Sequence, residues 1–565
     1  MTDRAAERRR RLTHRAMPLL GGMAVVALAA GLTVGSFAES GAERAAGDFT
    51  RAWERADYAE MYGLLTTEAA ARYDRAAFTR AYRRAADTAT AVALEAGDPK
   101  EAGGGTVRVP IAVRTRVFGV VRRELRVPLE DGLVAWDPSL AFPGLDSGAS
   151  LSRRSLAPER GRILSRDGKV LAAGPADART SPLGELASSI GGRVEPPASP
   201  HDRELLYARG FPRHQPVGQT GLERAFEERV AGRPGGTLLA GPRVLARARP
   251  RPGRTVRSTI DTRLQESSVA ALAGRFGGIA ALDARTGEVR ALAGIAFSAP
   301  QPPGSTFKLV TTTAALEAKA VKPSTRFPVE TEAIIDGVPL ENANGEACGG
   351  DFRSSFAHSC NSVFAPLGVK VGAERLVDAA ERYGFNQRPT IPGEAPSTIP
   401  PAREIVSPLE VGSTAIGQGK VLATPLELAS IAQAIGAGGI RSVPTLSAEA
   451  GRPRPVRVTT GRVARTLRRL MLGVVSFGTG TAAAIPGLKV AGKTGTAELE
   501  DTRGPRAQDE PPQSDPSNTD AWFTAFAPAE RPTIAVAALF VRAGAGGATA
   551  APAVRAVLAS ALGKD

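Results

Sequence analysis

The sequence predicts a multi-domain α+β protein carried behind a single N-terminal transmembrane helix. Three observations predict it. A length of 565 residues is more than one hydrophobic core fills, and at roughly 150 residues per domain it points to three or four domains. Helical apolar spacing and period-two strand patterns recur in blocks, separated by Pro- and Gly-rich stretches. An uncharged span, Met17 to Ala38, follows a tail bearing Arg4, Arg8, Arg9, Arg10, Arg11 and Arg15.

That span is rich in Ala, Val, Leu and Gly, and is long enough to cross a bilayer as a helix. The arginines before it hold the N-terminus in the cytoplasm under the positive-inside rule. Residues 1–38 therefore read as a short basic tail and an anchor in the cell membrane, with the rest of the chain extracytoplasmic. A cleaved signal peptide is the alternative. The apolar run is long for one, and no clean A-x-A site closes it.

Residues 39–147 read as a small α+β domain. Glu43 to about Ala86 has helical spacing with Phe49, Trp53, Tyr58, Met61 and Leu64 inward. Val107, Val109, Ile111, Val113 and Val117 then alternate with Arg108, Arg114 and Arg116, the period of a half-buried strand. A turn near Gly119 leads to Leu125, Val127 and Leu129, and Gly132 precedes a third strand around Trp136. Residues 148–257 are rich in Arg, Gly and Pro with short apolar runs, and are too long for a structureless linker.

Residues 258–565 open with an Asp-capped helix in "STIDTRLQESSVAAL". "GGIAALDARTGEVRALAG" follows as two strands joined at Thr286-Gly287. Ser305 to Ala320 is helical after Pro302-Pro303-Gly304, which cannot be. Thr494 to Leu499, Ala521 to Pro528 and Thr533 to Val541 read as strands before a C-terminal helix. Glu500 to Thr519, dense in Pro, Asp, Gly and Gln, reads as a long exposed loop.

The net charge of +15 comes mostly from arginines scattered among acids, with no basic run beyond the N-terminus. That distribution argues against nucleic-acid binding and fits attraction to anionic membrane or wall polymers better. There are 10 Lys against 62 Arg. Arg replaces Lys wherever a plain cation serves, but it cannot replace a lysine that must give up its proton. Two of the ten lysines lie in the motifs that carry the chemistry.

Those motifs are Ser305-Thr306-Phe307-Lys308, Ser359-Cys360-Asn361 and Lys493-Thr494-Gly495, in that order. Each pattern occurs once, the second 54 residues after the first and the third 134 after the second. Near a helix N-terminus, Ser305 and Lys308 lie three residues apart on one face, and the dipole there disfavours the charged lysine. A lysine made neutral takes a serine proton. Read singly, the same residues are an N-cap, a surface charge and a common turn.

Together the motifs resemble the active site of the penicillin-binding transpeptidases and serine β-lactamases. The resemblance extends outward. "AWERADYAEMYGLL" and "VAWDPSLAFPGL" resemble the opening and exit of an NTF2-like domain. "RGRILSRDGKVLA" and "GLERAFEERVAGRPG" resemble parts of the pedestal (dimerisation-type) domain of class B penicillin-binding proteins. The resemblance implies the monofunctional, methicillin-resistance-type architecture: a β-rich pedestal at 148–257, and at 258–565 a transpeptidase domain with an antiparallel sheet flanked by helices. It implies a peptidoglycan D,D-transpeptidase that forms an acyl-enzyme on Ser305 at D-Ala-D-Ala and binds β-lactams covalently.

By the same resemblance, Lys308, Ser359, Asn361 and Lys493 are catalytic. Thr494, Gly495 and Thr496 bind substrate, and the backbone N–H groups of Ser305 and Thr496 form the oxyanion hole. Stem peptides and β-lactams are the expected ligands, and other wall-synthesis proteins such as a glycosyltransferase are expected partners. No cofactor and no metal site is expected. Alternatives are a D,D-carboxypeptidase, a β-lactam sensor or non-catalytic penicillin-binding module, and a β-lactamase. The last lacks its E-x-x-L-N pattern between residues 362 and 492.

Only Cys348 and Cys360 are present. An oxidising compartment favours a disulfide, and two free thiols are the other reading. His14, His201, His214 and His358 form no motif, and His358 reads as a structural neighbour of Ser359.

Overall fold

Contacts divide the chain into two units, the first comprising Met1–Ser155, Tyr207–Gly210 and Gly235–Ala248, and the second the remainder. The structure, a computed structural model, describes residues 39–449, 453–499 and 516–564. The expected anchor and most of the expected loop after Glu500 lie outside the described residues. No helix among the described residues is long and apolar enough to cross a membrane.

In the first unit, helices Gly41–Glu54, Tyr58–Gly63, Thr67–Arg72 and Arg75–Ala89 precede an antiparallel sheet. Each starts at a side-chain cap. Ser40 and Glu43 form a reciprocal capping box, and Asp57, Thr66 and Asp74 cap the next three. Phe49 and Met61 are fully buried as expected, while Trp53, Tyr58 and Leu64 pack against the same core only partly buried.

Strand Thr106–Thr115 pairs with Gly119–Glu130 around a turn whose Gly119 has φ +70°. Val107, Val109, Ile111 and Val113 face the core, and Val117 falls in the turn. Trp136 donates its indole N–H to the Tyr82 hydroxyl at 3.0 Å, inside an aromatic cluster with Phe78.

Leu238, Ala240 and Leu245 join this core from the strand pair Gly235–Ala240 and Arg243–Ala248. The 148–257 stretch is thus divided between the two units. Other apolar residues of the stretch, among them Ile163, Leu171, Leu222 and Phe226, belong to the second unit's core. There Arg160 is buried between Glu223 and Glu227, 2.6 and 2.5 Å away.

The second unit is built on a five-stranded antiparallel sheet. Its strands are β1 (Gly277–Asp283), β2 (Val289–Gly294), β3 (Ala491–Glu498), β4 (Thr519–Ala527) and β5 (Ile534–Phe540), in spatial order β2-β1-β5-β4-β3. β5 reads IAVAALF without a polar residue because both its faces are covered. Ile534, Val536, Ala538 and Phe540 face helices α1 (Thr262–Leu272) and α7 (Gly546–Leu562). Ala535, Ala537 and Leu539 face the opposite core.

That second core contains α2 (Lys308–Glu317), α3 (Phe352–Ala357), α4 (Asn361–Val371), α5 (Pro425–Gly436) and α6 (Gly461–Ser476). Asp261 caps α1, accepting from the N–H groups of Arg263 and Leu264, as its sequence predicts. β3, which carries Lys493, is an edge strand.

Candidate active site

Ser305 lies in a 3₁₀ turn, Gly304–Phe307, and Lys308 is the first residue of α2. The sequence predicts one continuous helix starting at Ser305. The structure instead begins one residue earlier, at Gly304, and tightens the first turn. In a 3₁₀ turn residues i and i+3 eclipse, so the tighter turn stacks Ser305 over Lys308 more directly than an α-helix does. Ser305 is not an N-cap, since no side chain caps this turn.

Two glycines bring the first and third motifs together. Gly304 has φ +50°, and a Cβ there would lie 2.6 Å from the Thr496 carbonyl oxygen. A Cβ on Gly495 would lie 2.8 Å from the Pro303 carbonyl oxygen and 2.9 Å from Thr306 Cγ2. The space beside Gly495 is taken by the protein's own turn, which locks the edge of β3 against the start of α2. Trp522 adds a hydrogen bond from Nε1 to the Pro302 carbonyl at 2.8 Å.

Ser359 joins α3 to α4 with φ +61°, a left-handed conformation uncommon outside glycine and asparagine. It turns the Ser359 carbonyl and hydroxyl toward Lys308. Lys308 Nζ donates to Ser359 O at 2.6 Å and to Asn361 Oδ1 at 2.6 Å, with Ser359 Oγ 3.3 Å away. Asn361 is held by its other end, Nδ2 donating to the Glu341 carbonyl at 2.7 Å. Lys493 Nζ donates to Ser359 Oγ at 2.8 Å and to the Thr494 carbonyl at 3.0 Å. All three motifs thus meet at Ser359.

Lys308 and Lys493 are both fully buried. Burial first, and Lys493 second, hold the Lys308 amine well below the ordinary lysine range. Burial alone brings Lys493 down to about 7. The sequence ascribes the Lys308 shift to the helix dipole, whereas the structure assigns it to the loss of water. A neutral amine here spends its two N–H groups on the two carbonyl oxygens and keeps a lone pair.

Cys348 and Cys360 are joined by a disulfide, with Cα atoms 5.5 Å apart. Cys360 is the middle residue of Ser359-Cys360-Asn361, so the bridge ties that motif to the strand Cys348–Asp351. His358 lies beside the Phe477 ring, 6.3 Å between centroids.

Sequence reading misses Thr479. Its N–H and Oγ1 both reach the Ala357 carbonyl, at 3.1 and 3.2 Å, and its Oγ1 is 2.6 Å from Thr494 Oγ1. The signal for it is the punctuation Gly478-Thr479-Gly480 after α6, which marks a turn but not its neighbours.

A family model described as the penicillin binding protein transpeptidase domain matches residues 277–559, half of the chain and all three motifs. The chain belongs to the penicillin-binding protein transpeptidase family. A second model, the NTF2-like N-terminal transpeptidase domain, matches residues 41–149. Among curated proteins, the peptidoglycan D,D-transpeptidase PbpA of Mycobacterium tuberculosis is 38% identical over 291 residues, 47% of this chain and 56% of that protein. The matched region therefore spans little more than half the length of that relative.

Two solved structures extend the likeness of this transpeptidase domain. Penicillin-binding protein A of M. tuberculosis, as its penicillin G acyl-enzyme complex, is 27% identical with a TM-score of 0.56. The comparison covers 72% of this chain and 100% of that one. The D,D-transpeptidase domain of a peptidoglycan glycosyltransferase from Eggerthella lenta is 29% identical with a TM-score of 0.58, covering 72% and 99%.

Proposed function

We propose that this chain is a peptidoglycan D,D-transpeptidase acting through an acyl-enzyme on Ser305. The observation that carries the reading is Lys308: a fully buried lysine whose hydrogen-bond partners are two carbonyl oxygens and a hydroxyl, three residues after a serine in the 3₁₀ turn that leads into its helix. A surface charge has no use for that setting, and a general base needs it.

Ser305 Oγ attacks the carbonyl carbon of the penultimate D-Ala while its proton passes to the Lys308 lone pair. The oxyanion is held by the N–H groups of Ser305, early in its turn, and of Thr496, on the edge strand. As the intermediate collapses, the C–N bond breaks and the leaving D-Ala amine takes a proton through Ser359 Oγ, which both lysines contact. Asn361 holds Lys308 in register. Thr494 and Thr496 hold the substrate's terminal carboxylate. A second stem's amine then attacks the ester, the same groups move protons in reverse, and a cross-link forms. No step needs a cofactor.

In this reading the anchor at residues 17–38 holds the enzyme on the outer face of the cell membrane, supported by the uncharged span and the arginines before it. A glycosyltransferase must supply the strands it joins. Penicillin, a strained amide with a carboxylate, acylates the same serine. Intact-mass measurement after penicillin exposure, with peptide mapping, should place one adduct on Ser305 that is lost slowly, and Ser305→Ala should not label. Rapid multiple turnover would move the protein to the β-lactamase class, and unchanged labelling of Ser305→Ala would show the site to be elsewhere.

A further inference from the structure

Thr494 and Thr496 are two residues apart on β3 and so share a face. Each hydroxyl is met by a polar group of the protein. Thr496 Oγ1 accepts from the Gly546 N–H, the first residue of α7, at 3.3 Å. That bond occupies an oxygen lone pair and leaves the Thr496 proton to be donated outward. Thr494 is met by Thr479 Oγ1 at 2.6 Å, a contact in which either oxygen can donate.

The direction of that bond decides what Thr494 can do. Thr479 Oγ1 has one proton and two acceptors, the Ala357 carbonyl at 3.2 Å and Thr494 Oγ1. If Thr479 donates to Ala357, Thr494 must donate to Thr479, and its oxygen then presents only lone pairs to a ligand. A carboxylate meeting those lone pairs is repelled. If Thr479 donates to Thr494, the Thr494 proton is free and both β3 hydroxyls donate in concert. The Ala357 carbonyl loses nothing essential, because the Thr479 N–H still donates to it at 3.1 Å.

The turn is fixed tightly enough to hold this choice. A Cβ on Gly478 would lie 2.3 Å from the Ala357 oxygen, one on Gly480 2.8 Å from the Phe523 ring, and one on Gly547 2.3 Å from the Thr479 oxygen. The segment carrying Thr479 is therefore pressed between α3, β4 and the start of α7. It cannot shift without moving one of them.

We propose that Thr479 is a positioning residue that sets the polarity of the Thr494 hydroxyl, turning it into a donor when a substrate carboxylate arrives. This rests on the reading of Thr494 as a carboxylate contact. It predicts discrimination between substrates that have the carboxylate and those that do not.

The test compares acylation of the full chain by benzylpenicillin and by its methyl ester, in which the carboxylate is masked. Thr479→Val removes the hydroxyl and keeps the shape and the N–H. In T479V the Thr494 hydroxyl keeps its proton but loses the bond that orients it outward, so the preference for the free acid should fall about 2- to 10-fold, the scale of one neutral hydrogen bond. T479S should keep the preference, and T479A provides a second hydroxyl-free variant if T479V does not fold. Equal losses on acid and ester, or an unchanged preference, overturn the proposal, because a merely structural role moves both substrates together. T494V is the reference arm. If it keeps the wild-type preference, the carboxylate reading itself fails, and if it loses the preference while T479V and T479A keep it, only the role of Thr479 fails.

Discussion

Replacing Lys308 by Arg separates a base from a cation. Lys308 is fully buried, and its hydrogen-bond partners are the Ser359 carbonyl, the Asn361 amide oxygen and the Ser359 hydroxyl. Burial and Lys493 depress its pKa below the ordinary value of 10.5. In the unfolded chain the amine keeps that ordinary value, so folding opposes its protonation. The resulting cost is absent above the unfolded pKa and fully present below the folded one. Arg stays charged throughout and cannot take the Ser305 proton.

A positioned base typically contributes about 10²- to 10⁴-fold, so acylation of K308R by a fluorescent penicillin should fall by that factor at neutral pH. Wild-type acylation should rise with pH as Lys308 loses its proton. K308M, neutral and of similar length, should be equally slow yet melt at a higher temperature than wild type at neutral pH, because it removes the cost of burying an amine that must give up its proton on folding. K308R should melt lower. Acylation of K308R within about threefold of wild type, a fraction of the effect expected of a base, would show that another group accepts the proton.

Reduction of the Cys348–Cys360 bridge should slow penicillin acylation and lower stability by about 3 kcal/mol on the chain-entropy model. Rates with and without a reductant, beside a C348S/C360S variant, measure it, and recovery of both cysteines as free thiols without reduction would remove its basis. Burial first and Glu427 second raise the Glu394 carboxyl to about 7. Its unfolded value is near 4.5, so stability should fall as pH rises through that window. Glu394→Gln should remove the slope and stabilise the protein at pH 8 by about 1–2 kcal/mol, discounted for partial exposure. Thermal melts between pH 4 and 8 that run parallel for the two proteins would contradict this. A reporter active only outside the cytoplasm, fused after Asp565, should be active, and a cytoplasmic signal would reverse the expected topology.

Local signals made much of this fold legible. Asp261 as a cap, the turn at Gly287 and the period-two run from Val107 to Val113 depend on neighbours in the chain, and the structure has each of them. The two-sided burial of β5 follows from an uninterrupted apolar run. What sequence does not carry is long-range partnership. Residues 235–248 read as part of a separate block, yet Leu238, Ala240 and Leu245 complete a core begun nearly two hundred residues earlier. An apolar side chain carries no mark of which core it fills.

The site divides along the same line. The side chains that do chemistry announce themselves, since only a few residue types can attack a carbonyl or give up a proton near neutral pH. The groups that orient them are largely backbone carbonyls: Ser359 O for Lys308, Glu341 O for Asn361, Ala357 O for Thr479, Thr494 O for Lys493. Any residue supplies a carbonyl, so those contacts leave no signature in residue identity. Their traces are indirect: a serine forced to positive φ, and glycines where a Cβ would strike a carbonyl, at 304, 478 and 495. A glycine beside a motif is thus read better as a question about which backbone stands against it than as flexibility. At Gly478 the answer is the Ala357 carbonyl, and the residue placed by that contact is Thr479.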